Sequence, residues 1–559
     1  MDSLLSHLGF LYGTEKAPEL LQGVLDILSR HRRGRQTAAD LTERDTILIT
    51  YADQVTHPGE MPLHTLDAFC RDHLKGLVNT IHILPFYPWT SDDGFSVADY
   101  RGVEPKYGSW DDIHAMGDHF RLMFDAVINH ISAESDWFKS FLRDELPYRD
   151  YFIVVEDAPD LSMVVRPRAQ PLLTSFNTPS GTRQVWTTFS SDQVDLNYQN
   201  PTVLLEVLDV LLTYLQHGAT FLRLDAIAYL WKEIGTPCIN LPQAHGVIQF
   251  LRAALNEVAP SVQLITETNI PHVDNVSYFG DGHNEAQLVY NFALPPLTLH
   301  TFHTGDARAL SRWAETLTLP SDQTAFFNFL ASHDGIGLSP ARGILSAAEI
   351  EHLVQKAVKH GGFISYRDNP DGTKSPYEMN INYFDALSDP QGGEPVDLQI
   401  DRFIAAQAIM LSLLGVPGIY FHSLFGSRGW LEGVALTGRN RTINRQKCVL
   451  EVMQGELSDG RSLRARVFER YTRLLRLRGD SAAFHPHGRQ TILDLHDGVF
   501  SLIRESPVGG QRVLCVQNIS SRRVDLRAPL ESAVDMIDGS IIYGINIALS
   551  PYQVRWMAL

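Results

Sequence analysis

Between residues 46 and 421 the chain carries eight short apolar runs, each rich in β-branched or aromatic side chains. They are Thr46–Thr50, Thr80–Leu84, Leu122–Ile128, Phe221–Ile227, Leu264–Glu267, Leu288–Phe292, Phe326–Leu330 and Val416–Phe421. Runs that are apolar at nearly every position suit strands buried on both faces, as in a parallel sheet. Helical spacing of apolar residues fills several of the intervals, including Val203–Leu215 and Ala244–Val258. Strand and helix alternating over this length predict an α/β chain folded as a (β/α)8 TIM barrel.

Two intervals are too long for simple crossovers. Residues 131–200 separate the third and fourth runs, and residues 335–400 separate the seventh and eighth. Each is expected to be an insertion above the C-terminal ends of the strands, and their Pro, Gly and Asp clusters suit irregular loops. Residues 1–44 have helical apolar spacing and include the basic run His31–Arg35. They are expected to form an N-terminal helical extension, with the basic run as a solvated face. The barrel then occupies 45–130, 201–334 and 401–484. From about residue 485 the pattern changes to short alternating segments: Thr491–Leu495, Val499–Arg504, Val513–Asn518, Val524–Leu526, Ile541–Tyr543 and Gln553–Met557. These predict a small antiparallel β domain over 485–559.

A net charge of −18 argues against nucleic acid, whose phosphates need clustered Lys and Arg. No run of about 18 apolar residues is present, so no membrane span is expected. The N-terminus lacks a basic stretch followed by a long apolar core, so no signal peptide is read there. Cys70, Cys238, Cys448 and Cys515 are far apart and form no C-x-x-C. They predict neither a metal knuckle nor a disulfide framework, but reduced core thiols in a cytoplasmic protein.

Against such apolar strands, the polar groups at their ends stand out. Asp125 interrupts the third run, with Asn129 and His130 after it; Arg223 and Asp225 lie in the fourth; Glu267 ends the fifth; His333 and Asp334 follow the seventh. Charges are costly to bury unless paired or facing a cavity. Any one of them could belong to an ion network serving stability alone. Arriving together at successive strand ends, they converge on the barrel mouth, where active sites of this architecture lie. Glycoside cleavage needs such a set. Asp225 is placed as nucleophile, with Arg223 on the same side of the strand keeping it ionised. Glu267 is placed as general acid/base, its pKa raised by partial burial and a second negative charge. Asp334 is the third carboxylate, favouring an oxocarbenium-like transition state.

These motifs resemble the α-amylase superfamily of retaining α-glycosidases. Asp125-x-x-x-Asn129-His130, Arg223-x-Asp225-Ala226, Glu267 and His333-Asp334 match its four signatures in order. The resemblance implies the same three roles, with His130, Arg223 and His333 holding the sugar. It is closer to the sucrose-phosphorylase-like branch. Ser91–Phe95 resembles that branch's loop after the second strand, so Asp92 is expected to bind distal glucosyl hydroxyls and Phe95 to form the platform under the ring. Phe292–Leu297 and His333–Gly337 are similar to branch motifs, and Tyr229 also matches. Gly438–Arg445 resembles the late Arg motif, which would pair Arg445 with Asp92. Arg166-Pro-Arg168 resembles the branch's phosphate motif, with Arg168 as the phosphate-binding member; an Arg fork suits phosphate.

The departures bear on the acceptor. Where sucrose phosphorylases have Asp-Leu-Tyr-Gln, this chain reads Ser375-Pro376-Tyr377-Glu378, preceded by Lys374. A carboxylate lost and a cation gained suit an anionic acceptor better than fructose. With Thr268–His272, Asn275–Gly280 and the N-terminal extension, the chain most resembles the glucosylglycerate phosphorylases. That similarity implies phosphorolysis of 2-O-α-D-glucosyl-D-glycerate, with the α-glucoside and inorganic phosphate as small-molecule partners. Arg168, Tyr377 and Glu378 are expected around the phosphate or acceptor, with Lys374, from the charge change just noted, as the candidate for the acceptor's carboxylate; neither a metal nor an organic cofactor is implied. Sucrose, sucrose phosphate or glucosylglycerol as substrate, a hydrolytic α-glucosidase, and a non-catalytic barrel scaffold remain as alternatives.

Overall fold

The computed structural model describes residues 1–31, 40–168, 170–369, 372–528, 531–544 and 546–559. Eight strands close a barrel. They are β1 (Ile47–Thr50), β2 (Thr80–Ile83), β3 (Arg121–Ala126), β4 (Ala219–Leu224), β5 (Gln263–Thr266), β6 (Leu288–Tyr290), β7 (Ala325–Asn328) and β8 (Val416–Tyr420). All neighbours run parallel in sequence order, and β8 closes on β1 through Ile47 opposite Gly418. The fold class is therefore the TIM barrel. Nearly every strand residue is buried. Helices cover the outer face and side chains fill the lumen, so apolar residues are required at almost every position.

Helices Pro201–Gln216 and Pro242–Val258 begin with Pro, whose fixed φ and missing N–H suit the first helical turn. Helices Asp2–Tyr12 and Ala17–Arg30 lie against them. The contact is close at Gly246, where an added Cβ would meet the Phe10 ring at 2.8 Å. Of the basic run, His31 pairs with Asp209 at 2.9 Å, and Arg32–Arg35 lie outside the described residues.

The two long intervals are not irregular loops, as their composition implied. The first contains helix Asp136–Leu142 and a sheet of Val154–Val155, Leu173–Thr178 and Gly181–Trp186. The second holds helix Ala347–Lys359 and the hairpin Phe363–Asp368/Lys374–Asn380, which pairs onward with Ile336–Gly337. Some 70 residues pressed onto a barrel mouth must pair their backbone groups, and local strands and helices do this. Pro and Gly mark the turns between these elements rather than an absence of structure.

Beyond the barrel, a six-stranded antiparallel sheet runs in the order 489–492, 499–505, 512–518, 554–558, 532–535, 541–543. Strand Val524–Arg527 pairs separately with Asn546–Leu549. The apolar cluster there, with Val499, Leu514, Val516 and Met557, is distinct from the barrel core. Among the described residues no helix is long and apolar enough to cross a membrane.

Candidate active site

Register places the first two carboxylates side by side. Leu224 at the end of β4 is opposite Thr266 at the end of β5, so the next residues are Asp225 and Glu267. Parallel neighbours are about 4.8 Å apart. The ladder continues past both strand ends: Asp225 N donates to Ala126 O at 3.1 Å, and Glu267 N to Leu224 O at 3.0 Å. Ala226 then turns with a left-handed φ of 51°, and its N–H donates to Glu267 Oε2 at 3.0 Å.

Arg223 is buried inside the barrel and donates to Asp225 Oδ1 at 2.8 Å and to Asp125. Asp125 also meets His82 Nε2 at 2.6 Å. The guanidinium lies 5.7 Å from the Phe95 ring centre and 5.5 Å from that of Tyr290. His333 stacks on Phe95 with centroids 4.6 Å apart and planes 7° from parallel. His130 Nε2 lies 3.0 Å from Phe95 O. Asp334 sits 2.5 Å from Arg441 Nη1, 3.3 Å from His333 Nε2 and 3.6 Å from Arg445 Nη2.

Asp225, Glu267 and Asp334 line one cavity. Asp92, Phe95, His130, Tyr229, His333 and Arg168 share its wall, as does Tyr377. Residues brought together by the loops after β2, β3, β4, β5 and β7 thus meet with residues from both insertions. An outer vestibule adjoins it, with Arg168, Tyr377, Glu378, Arg439, Arg441 and Arg445 among its lining. Asp92 bonds Arg168 at 3.2 Å and Arg445 at 3.4 Å, but Arg445 makes its shorter contact, 2.6 Å, with Asp93.

Two expectations change. Lys374 reaches neither cavity. It starts the second strand of the insertion hairpin, is 63% exposed and pairs with Asp368 across the turn at 3.8 Å. Its register, three residues ahead of Tyr377 in the wall, carries it to the outer end of the hairpin. Glu378 does reach the vestibule, but its carboxylate is occupied by Arg441 Nε and Nη2 at 3.0 and 2.6 Å, so it orients a cation rather than receiving a ligand.

The electrostatics separate the carboxyls. Burial pushes Glu267 up, the charges of Asp225 and Asp334 add to this, and Arg223 and the Ala226 N–H oppose it; it stands at about 7. Burial also raises Asp225, and this outweighs Arg223 and His130. Arg223 therefore limits that rise. Asp225 holds a direct guanidinium hydrogen bond and Glu267 does not, so Asp225 ionises first. Burial would raise Asp334 too, but Arg441, His333, Arg445 and Arg223 hold it well below the usual carboxylate range. Asp92 is likewise held low against burial, by Arg168, Arg445 and Arg441. Burial takes His333 down to about 3, so it is neutral. One ionised carboxylate beside a protonated neighbour is what general acid and nucleophile require.

Sequence reasoning passed over several wall residues. Arg441 lay in the quoted Gly438–Arg445 segment, but nothing in the spacing distinguished it from Arg439 or Arg445. Gln193, whose Nε2 donates to Phe95 O at 3.2 Å, and Asn269 and Phe189, which line the cavity, carried no local signal. Tyr290, which is not in the wall but packs against the Arg223 guanidinium, looked like any other strand aromatic.

The alpha-amylase catalytic-domain family model matches residues 71–336. A glucosylglycerate phosphorylase of Allomeiothermus silvanus is 49% identical over 99% of this chain and 98% of its own length. One from Escherichia coli is 46% identical over 92% of each chain. The solved sucrose 6F-phosphate phosphorylase of Thermoanaerobacter thermosaccharolyticum superposes with a TM-score of 0.76, covering 91% of this chain and 99% of that one. At 24% identity that likeness concerns the fold alone. Sequence similarity that runs nearly end to end, on the same barrel, makes this enzyme a member of the glucosylglycerate phosphorylase family within the alpha-amylase superfamily.

Proposed function

We propose that the enzyme converts 2-O-α-D-glucosyl-D-glycerate and inorganic phosphate to α-D-glucose 1-phosphate and D-glycerate by double displacement. In the first half, Asp225 attacks the glucosyl anomeric carbon as its bond to the glyceryl oxygen breaks. Glu267 gives its proton to that oxygen, and D-glycerate leaves a β-glucosyl ester on Asp225. In the second half, a phosphate oxygen attacks the same carbon, the ester bond breaks, and Glu267 recovers a proton from phosphate. Each displacement inverts, so the α configuration is retained.

The observation that carries the mechanism is the pair of unlike carboxyls on adjacent strand ends. Asp225 is held by Arg223 at 2.8 Å, and Glu267 retains its proton to about pH 7. Once Asp225 is esterified its negative charge is gone, so Glu267 loses one cause of its raised pKa and becomes ready to act as base. Asp334, kept ionised by the guanidinium groups of Arg441, Arg445 and Arg223, faces the positive charge that develops on the sugar ring. Phosphate enters beside Arg168 and Tyr377, where an enclosed cationic wall favours it over water. The acceptor assignment rests on the relatives. The four buried thiols are free, which suits a reducing compartment, and we place the enzyme in the cytoplasm.

The test is incubation with glucosylglycerate, with and without phosphate, following glucose 1-phosphate and glucose. Glucose 1-phosphate is expected, and only with phosphate. Free glucose at the same rate in either condition marks a hydrolase. A higher kcat/KM for sucrose or glucosylglycerol overturns the acceptor.

A further inference from the structure

We propose that Arg439, at the cavity mouth, forms the subsite that receives the acceptor's carboxylate; this rests on the reading of the acceptor as a hydroxy acid. An anionic acceptor must enter a site already walled by Asp92, Asp225, Glu267, Asp334 and Glu378. It needs a cation that these do not already neutralise. Arg441 is held between Asp334 and Glu378. Arg445 is held by Asp92 and Asp93, with Asp334 beyond. Arg168 lines both cavities, but it bonds Asp92 and is the cation assigned above to phosphate. Arg223 is committed to Asp125 and Asp225. Lys374 is outside.

Arg439 differs from all of these. It lines the vestibule and is exposed. No carboxylate among the described residues lies within ion-pair distance of its guanidinium. Its backbone is nevertheless fixed. Gly438 ends helix Leu431–Thr437 with a left-handed φ of 67°. Arg439 N then donates to Thr437 Oγ1 at 3.2 Å, and Arg439 O accepts from Thr442 N at 3.1 Å. Two residues on, Arg441 grips Asp334 from the same short 3-10 turn, Asn440–Asn444. The turn that anchors the third carboxylate therefore also presents an uncommitted fork at the mouth. A guanidinium binds a carboxylate through two parallel N–H bonds. A neutral polyol such as glycerol carries a third hydroxyl in place of the carboxylate and has no use for that fork.

The test uses the full-length enzyme in the synthetic direction, with glucose 1-phosphate as donor and D-glycerate or glycerol as acceptor. In Arg439→Gln, the ratio of kcat/KM for glycerate to that for glycerol falls about ten- to hundred-fold, the worth of one charged hydrogen-bonded pair. The loss appears in KM for glycerate. Arg439→Lys keeps part of the preference. Lys374→Gln, the same charge change outside the cavities, leaves the ratio within about two-fold. An unchanged ratio in Arg439→Gln overturns the subsite, as does an equal fall in Lys374→Gln, which would mark long-range charge. Equal losses on both acceptors also overturn it, since they mark a structural lesion. A wild-type enzyme with no preference for glycerate over glycerol overturns the acceptor reading itself.

Discussion

Arg441 Nη1 lies 2.5 Å from Asp334 Oδ1, joining a residue after β8 to one after β7. The same guanidinium is held on its other side by Glu378, which is 1% exposed. The position of Asp334 thus depends on a fork that the second insertion steadies.

Replacing Arg441 by Ala leaves both carboxylates short of their main cation. Steady-state kinetics should show kcat/KM lowered by about a hundred-fold or more. Denaturant unfolding should show a loss of about 3 kcal/mol, the low end for breaking a buried ion pair, because Glu378 is buried but Arg441 is 25% exposed. Arg441→Lys recovers little, because an ammonium cannot bridge the two acids in a planar fork.

Glu267 gives two pH signatures. Its folded pKa, about 7, lies above the ordinary 4.5. Between those values the folded chain holds a proton that the unfolded chain has lost, so this contribution to stability is lost as pH rises through the window. Glu267→Gln should therefore raise Tm relative to wild type above pH 7. The difference should fade toward pH 4.5, and the full effect is on the order of 3 kcal/mol. In wild type, kcat/KM for the glucoside should fall about ten-fold per pH unit above 7, as the acid form disappears.

Lys232 Nζ is buried, 2.6 Å from Asp195 and 2.8 Å from Asn129 Oδ1. Asn129 in turn meets His130 Nδ1 at 3.2 Å. Lys232→Met leaves Asp195 as a buried uncompensated charge. Thermal or urea unfolding should register about 3–5 kcal/mol of destabilisation, with a rise in KM for the glucoside as His130 loses its support.

Gly337 sits against Asn269 in the cavity wall, where an added Cβ would meet Asn269 Oδ1 at 2.4 Å. Gly337→Ala must displace that amide, two residues from Glu267. Kinetics should show kcat lowered about ten-fold or more with only modest change in stability, because misplacing a reacting group by about 1 Å is costly. Wild-type kcat in this variant would show that Asn269 yields freely.

Much of the barrel was legible because its strands are buried on both faces. Phe221–Ile227 is apolar except at Arg223 and Asp225, and that contrast alone marked a strand end with chemistry. The same reasoning reached Glu267 and Asp334. It failed at Lys374, where composition gave a cation but the hairpin register decided where it pointed. It named Arg223 as the group that keeps Asp225 ionised but missed the opposing burial, because a neighbouring Arg is visible in sequence whereas depth of burial is not.

The order of strands and the residue types at their ends are local properties, written in hydrophobic pattern and charge, and the sequence determined them. Which cations are already committed was decided by the tertiary structure. Arg439, Arg441 and Arg445 lie close together in one segment, yet one is exposed without an ion pair among the described residues and two are held by acids from distant loops. Ion pairing depends on distances of a few ångströms between chain segments over three hundred residues apart, as from Arg445 to Asp92. No spacing along the chain encodes those distances.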